Sequence, residues 1–279
     1  MRKVVFHIVV TLVLVLSGCN SRNEKEHEPK KMAVVISTLN NPWFVVLGEA
    51  AGFDAILFNP TDSEGSVSNV KRAKQANLPT FCMDREINSL DVATSQITSD
   101  NFSGCVSLGE YFVRKLNKKG KYVELLGLVG DNNTWNRSKG FHSVVDHFPE
   151  LEMVAQQSAD FDRSKAMEVL ESVMQSNPDI DAVFCGNDAM AMGAYQALVA
   201  AGKADSVMVF GFDGAKDVMD AIKDKKISAT AMQSPRQMAR AAAEMADEFL
   251  KGKRDFSKKT PLQKISMSLE LMVQITDYE

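Results

Sequence analysis

Five polar side chains in this sequence stand at or directly after the ends of short apolar runs, where they could hold a ligand. Their hydroxyl, amide and carboxylate groups donate and accept hydrogen bonds, and no nucleophile–base pair or metal-ligand spacing accompanies them. This chemistry favours recognition of a polar molecule over catalysis. The five residues are Ser37, Asn59, Asp84, Asn187 and Asp213.

The elements that would bring these residues together are the strands of parallel sheets. From Met32 onward, short apolar runs alternate with segments of helical period, which is typical of parallel sheets covered by helices. In open parallel sheets, ligands bind beyond the carboxyl ends of the strands, where loops and helix N-termini converge. The predicted strands are residues 33–37, 53–58, 80–83, 122–126, 182–185 and 207–212.

A purely structural interpretation stays open for each polar residue. Asn and Asp often cap the next helix, and Asn59-Pro60 and Asp213-Gly214 are typical turn pairs. The helices between the strands are predicted from apolar residues that share one face, and most methionines fall in such stripes, which indicates core packing. The clearest stripes are Val67, Val70 and Ala73, and Met238, Ala242, Met245 and Phe249.

The overall composition is that of a globular protein. The chain has 279 residues, of which 45% are hydrophobic and 24% charged, enough for one large domain or two modest ones. Its formal net charge is −4, and no stretch combines basic residues with aromatics. We therefore expect no nucleic-acid partner.

The N-terminus carries an export pattern. A basic start at Arg2 and Lys3 precedes an apolar run over residues 4–16, which is shorter than the about 20 residues that span a bilayer. The following Leu16-Ser17-Gly18-Cys19 resembles the lipobox of bacterial lipoproteins. The resemblance implies a signal peptide over residues 1–18, lipid on Cys19, a tether over 19–31 and a membrane-anchored location in the periplasm or at the cell surface.

The other cysteines and the histidines form no recognisable metal or redox pattern. Cys82 and Cys185 lie in apolar runs, and Cys105 shares a helix face with Leu108, Phe112 and Leu116, so buried hydrophobic roles are favoured. The histidines are scattered, and His142 and His147 do not share a helix face. We expect no metal and no cofactor.

Several ordered motifs resemble those of the type I periplasmic sugar-binding proteins, in particular the ribose-binding proteins that serve bacterial ABC transporters. The resemblance implies two lobes, each with a doubly wound parallel sheet, joined by a three-segment hinge. The first lobe would hold residues 32–99 and 234–262, and the second 100–233 and 263–279. The motifs are Ser37-Thr38-Leu39-Asn40-Asn41-Pro42-Trp43-Phe44, Asn59-Pro60-Thr61-Asp62-Ser63, Asp84-Arg85, Asp160-Phe161-Asp162-Arg163, Asn187-Asp188 and Gly211-Phe212-Asp213-Gly214.

The same resemblance implies a set of sugar-binding residues in the cleft between the lobes. All twelve positions are filled, although Trp43 stands where the ribose-binding pattern usually has Phe. The set is Ser37, Asn41, Trp43, Phe44, Asn59, Asp84 and Arg85 from the first lobe, Arg137, Phe161, Asn187 and Asp213 from the second, and Gln233 at a crossing.

These residue types suit a sugar on independent physical grounds. Aromatic rings such as Trp43 and Phe161 can pack against the C–H faces of a sugar ring. Carboxylates, guanidinium groups and amides can pair with its rim of hydroxyls, and a missing hydroxyl would leave a buried polar group unpaired at a cost of about 1 to 3 kcal/mol. Taken alone, Arg85 or Arg137 could instead form a structural ion pair.

The chain departs from the family pattern between Phe44 and Asn59. Only residues 45–58 stand there, which is short of the pattern by about one βαβ repeat, on the order of 30 residues. A helix over residues 43–51 would remain, and the strand near Ala33 would become the edge of the first sheet. We expect a destabilised first lobe, and a degenerate copy is an alternative.

The leading prediction is a receptor that closes on a ribose-like monosaccharide, D-ribose or a close relative, and delivers it to an ABC transporter permease. Hinge closure is expected near Ser99, Gln233 and the last strand. A sugar-sensing subunit for a chemoreceptor or sensor kinase is the alternative. An enzyme that uses Asp84 and Asp213 as a carboxylate pair is disfavoured, and so is a repressor, because an export signal stands at the N-terminus.

Overall fold

Two β-sheets organise the part of the chain that the computed structural model describes, which is residues 30–36, 52–253, 264–267 and 269–273. The strands are β1 (Met32–Ile36), β2 (Ala55–Asn59), β3 (Thr80–Met83), β4 (Ser95–Ser99), β5 (Gly120–Leu126), β6 (Leu151–Ser158), β7 (Ala182–Cys185), β8 (Met208–Asp213), β9 (Ala229–Met232), β10 (Lys264–Met267) and β11 (Glu270–Val273). Five form a parallel sheet in the order β1-β2-β3-β4-β10, and six form the second in the order β11-β9-β8-β7-β5-β6. In the second sheet β11 runs antiparallel to β9, and the other described pairs are parallel.

Helices cover both faces of each sheet. In the five-stranded sheet, Ala55 and Leu57 pack with Met238 of the last helix, while Ile56 and Phe58 pack with the first helix on the opposite face. This burial on two faces explains why β2 is a continuous apolar run. The described helices are α1 (Val67–Gln75), α2 (Asn101–Lys115), α3 (Asn132–Val145), α4 (Arg163–Ser176), α5 (Asp188–Ala200), α6 (Lys216–Lys223) and α7 (Pro235–Leu250).

The six-stranded sheet has two cores, one on each face. Aromatic residues dominate the face that α2 and α3 cover, where Phe141 stacks on Phe184 with 4.0 Å between ring centroids. The face covered by α4 and α5 is aliphatic and includes Leu125 and Leu170. The predicted α/β class with parallel sheets is therefore confirmed, and the predicted helix stripes lie in these cores and in those of the first sheet.

The chain passes between the two sheets three times within the described residues. It leaves the first sheet after β4, returns through α7 after β9, and crosses again between β10 and β11. The resemblance predicted that residues from 263 onward belong to the second lobe. Instead, β10 pairs with β4 of the first sheet, with Lys264 opposite Gln96. The third crossing therefore lies between Met267 and Glu270, several residues later than expected.

Strand β1 lies at the end of the five-stranded sheet, next to β2. Its Val34 is 59% exposed, which is unusual for a strand of a parallel sheet. The short segment over residues 45–58 predicted an edge position for this strand. The deletion of a βαβ repeat itself stays a prediction. The predicted helix over residues 43–51 lies outside the described residues.

The export signal (1–18) and Cys19 also lie outside the described residues, as does the tether except for its last residues. In the ranges that the structure describes, no helix is long and apolar enough to span a bilayer. Cys82, Cys105 and Cys185 are all buried and unpaired, which confirms their predicted role in the core. The same ranges hold no cluster of His, Cys, Asp and Glu that could bind a metal ion.

Candidate functional site

A cavity of about 410 Å³ lies where the carboxyl ends of strands from both sheets meet. Eight of the twelve residues that the resemblance implied line this one cavity. Ser37, Asn41, Trp43 and Phe44 lie outside the described residues. The eight are Asn59, Asp84, Arg85, Arg137, Phe161, Asn187, Asp213 and Gln233.

Asp84 reaches the cavity from the end of β3 through an unusual backbone conformation. Its φ is 68°, in the left-handed region that residues other than glycine rarely adopt. Its backbone N–H donates to the carbonyl of Ile97 at 2.9 Å, and its Oδ2 accepts from Nδ2 of Asn59 at 3.0 Å. These bonds hold the carboxylate in place before any ligand arrives.

Arg85 joins the two sheets across the cavity. Its Nε lies 2.8 Å from Oδ2 of Asp131, and its guanidinium carbon lies 5.7 Å from the centroid of the Phe161 ring. Asp131 also caps α3 by accepting from the backbone N–H of Asn133 at 2.9 Å. Burial raises the pKa of Asp131, and the charge of Arg85 opposes that rise. The ion pair that the sequence left open as an alternative for Arg85 is thus present within the cavity wall.

Arg137 is buried at the centre of the cavity wall, with 4% of its surface exposed. Its Nε donates to Oδ1 of Asn101 at 2.8 Å, and its Nη1 donates to the carbonyl of Gly186 at 2.7 Å. The same Nη1 lies 3.6 Å from Oδ1 of Asp213, and the guanidinium stacks 3.8 Å from the centroid of the Phe212 ring. A fixed, buried positive charge therefore faces the ligand space.

Asp213 ends β8 with a φ of 130° and is tied to the second crossing. Its Oδ1 accepts from Nε2 of Gln233 at 2.7 Å, and Oε1 of Gln233 accepts from the hydroxyl of Ser99 at 2.6 Å. Burial raises the pKa of Asp213, and the positive charge of Arg137 opposes that rise. Since Ser99 and Gln233 stand at two different crossings, this chain of bonds connects the cavity with the segments between the sheets.

Asn187 caps a helix and also lines the cavity. Its Oδ1 caps α5 by accepting from the backbone N–H of Met190 at 2.9 Å, while the residue also lines the cavity. Its Nδ2 donates to the carbonyl of Phe161 at 3.4 Å, and Phe161 has a φ of 60°. A Cβ on Gly127 would come within 2.0 Å of the Phe161 ring, so this ring position requires glycine there.

Asp188 is a buried residue next to the cavity wall, and its hydrogen bonds connect neighbouring elements. It is 1% exposed, and its two oxygens accept from the hydroxyl of Thr230 at 2.7 Å and from the backbone N–H of Ala215 at 2.6 Å. Burial, followed by the charge of Asp213, raises its pKa to about 7. A Cβ on Gly211 would lie 2.3 Å from Oδ1 of Asp188, which explains glycine in the Gly211-Phe212-Asp213-Gly214 motif.

Sequence reasoning missed six residues of the cavity wall. Two of them, Asp131 and Asn133, follow β5 only after the loop Gly127–Gly130, so the search for polar residues directly after strands did not reach them. The others are mostly apolar residues that resemble ordinary core positions. The six are Asp131, Asn133, Met83, Pro235, Met238 and Ala239.

The arrangement is chemically suited to a small neutral molecule with many hydroxyls. Fixed carboxylates, guanidinium groups and amides surround it, each able to make charge-assisted or paired hydrogen bonds. Phe161, Met83 and Met238 supply apolar surface in the same cavity. Its volume falls within the range of small-molecule sites.

Comparison with known proteins agrees with this geometry. The family described as periplasmic binding protein domain matches residues 49–254. A D-apiose import binding protein of Paraburkholderia graminis is 47% identical over 202 residues, which are 72% of this chain, and the chain spans only 64% of that protein's length. The ribose import binding protein of Bacillus subtilis is 35% identical over 298 residues, 91% of this chain and 95% of that protein. Because that aligned stretch exceeds the 279 residues of this chain, it contains positions with no counterpart here.

A solved structure shows the same architecture. The periplasmic binding protein component of the arabinose ABC transporter from Shewanella sp. ANA-3 has a TM-score of 0.77 and 29% identity, covering 84% of this chain and 78% of that one. These relatives are solute-binding proteins and not enzymes. The match over residues 49–254 and the alignment with the Bacillus protein together show that the chain belongs to the periplasmic binding protein family.

Proposed function

We propose that this protein is an extracytoplasmic receptor that binds a five-carbon monosaccharide, D-ribose or D-apiose, for an ABC importer. The observation that carries the proposal is the single cavity in which Asp84, Arg137 and Asp213 face one another from two sheets. The import binding proteins for ribose and apiose among its relatives support the same substrate class.

Apolar and polar groups of the cavity wall recognise different parts of the sugar. The Phe161 ring offers a flat apolar surface for the C–H face of a sugar ring. Asp84 and Asp213 accept hydrogen bonds from hydroxyls, and the guanidinium of Arg137 donates to a hydroxyl or ring oxygen. An analogue that lacks one of these hydroxyls leaves a buried polar group unpaired and binds about 1 to 3 kcal/mol more weakly.

Calorimetric titration of the mature chain tests this proposal. The panel is D-ribose, D-apiose, L-arabinose, D-allose and myo-inositol, and we expect one-to-one binding that is tightest for D-ribose or D-apiose. Asp213→Ala should abolish the heat, whereas Asp220→Ala on the surface of α6 should not, because its carboxylate pairs with Lys216 and not with the cavity. Absence of heat for every sugar would refute the proposal.

Membrane anchoring through Cys19 belongs to the same proposal. An acylated Cys19 followed by a polar tether would keep the receptor beside its permease. In cells given a labelled fatty acid, the wild-type chain should take up label and sediment with membranes. Cys19→Ala should lose both properties, and a variant that keeps both would disprove lipidation at this residue.

A sensor function is a second candidate with its own support. A fructose binding periplasmic domain of a hybrid two component system has a TM-score of 0.76 and 26% identity with this chain. Deletion of the gene distinguishes the two roles. An importer receptor predicts loss of labelled sugar uptake, whereas a sensor predicts normal uptake with loss of the sugar-dependent transcriptional response.

A further inference from the structure

Beside the cavity, loops of the two sheets contact each other directly through residues that do not line it. The loops after β2 and β3 supply Ser63, Glu86 and Asn88. The loop after β5 and the first residue of α3 supply Gly130 and Asn132. We name these five residues the loop latch. None of them was part of the predicted sugar site.

The first part of the loop latch is a reciprocal pair of hydrogen bonds. The backbone N–H of Ser63 donates to the carbonyl of Gly130 at 2.8 Å. In return, the hydroxyl of Ser63 accepts from the backbone N–H of Asn132 at 3.1 Å. Ser63 is 2% exposed as a result, although it lies in a loop. Ser63, from a loop of the first sheet, is thus held by two residues that follow β5 in the second sheet, Gly130 and Asn132.

The second part is the side-chain amide of Asn132. Its Nδ2 donates to Oε1 of Glu86 at 3.0 Å and to Oδ1 of Asn88 at 2.8 Å. The backbone N–H of Asn88 donates to the carbonyl of Ser63 at 2.7 Å, which couples the two parts. The approach is close, since a Cβ on Gly130 would lie 1.9 Å from Oδ2 of Asp62.

Except for the bond between Asn88 and Ser63, these bonds join elements that belong to different sheets, so rotation of one sheet away from the other would break them together. They stabilise the closed arrangement whichever sugar is bound, because no latch residue lines the cavity. The apparent affinity of a receptor depends on the fraction of molecules in the binding-competent state. A contact of this kind can therefore change the rate of sugar release although it does not contact the sugar.

We propose that the loop latch holds the cleft shut and that Ser63 and Asn132 are positioning residues that set the residence time of the bound sugar. This inference rests on the proposed sugar-binding function. It predicts that loss of a latch bond accelerates sugar release and leaves the encounter between sugar and open cleft nearly unchanged, since the lost bonds form only on closure.

Stopped-flow binding of D-ribose and D-apiose tests the inference, with the fluorescence of Trp135 as a reporter because its indole N–H donates to the carbonyl of Val129 in the loop before Gly130. Ser63→Ala and Asn132→Ala should each raise koff about 3- to 10-fold, as expected for one or two lost hydrogen bonds, with kon within about twofold. The matched control is Ser68→Ala, which lies in the first turn of α1 and whose hydroxyl donates to the carbonyl of Gly65 just before that helix. Values of koff within twofold of wild type in both latch variants would overturn the proposal.

A second measurement observes the latch bonds directly. With saturating D-ribose or D-apiose, amide hydrogen exchange should show protection of the Ser63 N–H, and Asn132→Ala should accelerate its exchange although its acceptor, Gly130, is unchanged. Ser68→Ala should have no such effect. If wild type binds no sugar, the proposed function fails and exchange of the sugar-free proteins decides on the latch: faster exchange of the Ser63 N–H in Asn132→Ala than in wild type supports it, and equal exchange overturns it.

Discussion

Three cavity residues hold backbone conformations that only glycine adopts easily. Asp84, Phe161 and Asp213 have φ values of 68°, 60° and 130°. Each costs about 1 to 3 kcal/mol and persists only where the surroundings enforce it. At Asp213 the enforcing bonds are visible, because its carbonyl accepts from the backbone N–H of Gln233 at 3.0 Å. The strained backbone lowers the stability of the folded state at these positions, but it fixes the orientation of the side chains that line the cavity.

A pair of substitutions at Asp213 makes this strain measurable. Both Asp213→Ala and Asp213→Gly remove the carboxylate and should lose sugar binding, but the glycine variant should be more stable in urea unfolding by about 1 kcal/mol because glycine tolerates positive φ. The reverse order is expected at Asp220 inside α6, where glycine should be less stable than alanine by a similar amount. Equal stability of the two Asp213 variants would show that the position is unstrained.

Asp188 gives a pH-dependent prediction of its own. Its pKa rises from 3.8 to about 7 on folding, so the folded protein keeps a proton that the unfolded chain releases. Its contribution is fully present below about pH 4 and is lost as the pH rises through about 7. Urea unfolding at pH 5 and pH 8 should therefore show a larger loss of stability in wild type than in Asp188→Asn. Asp205→Asn, at an exposed position, should behave as wild type.

The sequence predicted that Asp84 and Asn187 follow strands directly, and both line the cavity. It missed Asp131 and Asn133 because four residues separate Asp131 from the end of β5 and six separate Asn133 from it. The sequence does not predict the loop latch either. Ser63 belongs to a recognised motif, but its partners, Gly130 and Asn132, are defined only by the approach of a second sheet.

At the level of elements, apolar runs were predicted well and polar strands were not. Strands β3 and β7 have their predicted bounds, whereas β4, with the sequence Ser-Gln-Ile-Thr-Ser, was not predicted although it is buried throughout. Its burial is possible because the Gln96 amide accepts from the N–H of Ile87 at 2.7 Å and donates to the carbonyl of Ser89 at 2.9 Å. Strands β6, β9, β10 and β11 were also missed; β6, at the edge of its sheet, has a largely exposed pattern without an apolar run.

One side chain ties helix α3 to strand β5 through charge. Nε2 of His142 lies 2.9 Å from Oε2 of the buried Glu124, and Nδ1 lies 2.7 Å from Oδ1 of Asp146. The hydrogen bond with Glu124 is the main cause of a rise in the pKa of His142 to about 9, while burial opposes the rise. The imidazolium thus compensates a carboxylate in the core.

This pair predicts a loss of stability in alkali. The contribution of His142 is fully present below about pH 6.5 and is lost as the pH rises through about 9, amounting to about 3 kcal/mol. Unfolding free energy should therefore fall between pH 7 and pH 10 in wild type and change much less in His142→Gln. His147→Gln, at an exposed position of the same region, should keep the wild-type profile. A parallel decline in all three proteins would contradict the assignment.

On the scale of the whole molecule, the two sheets differ in how completely they are enclosed. Among the described residues, the five-stranded sheet ends at β1 with the exposed Val34, and its two cores hold fewer buried residues than those of the six-stranded sheet. We propose that this reflects the missing βαβ repeat between Phe44 and Asn59. The number of residues between Phe44 and Asn59 does not by itself predict how stable the first sheet is, because its stability depends on how the remaining residues cover the edge.

Hydrogen exchange followed by mass spectrometry tests this difference. Amides of β2 and β3, interior strands of the smaller sheet, should exchange faster without sugar than those of β7 and β8, interior strands of the larger one. Saturating sugar should slow exchange in both, because it binds only the folded state. Equal protection in the two sheets would show that the shortened region is tolerated without loss.

The three buried thiols have a practical consequence for assays. Burial raises the pKa of Cys82 to about 12 and also raises those of Cys105 and Cys185 well above their usual range, so none of them forms a reactive thiolate at neutral pH. A maleimide dye should therefore leave the native core unlabelled. In a version that begins after Cys19, one cysteine introduced at the rim of the cleft would be the sole attachment point, turning the receptor into a fluorescent sugar biosensor without replacement of any of the three buried cysteines.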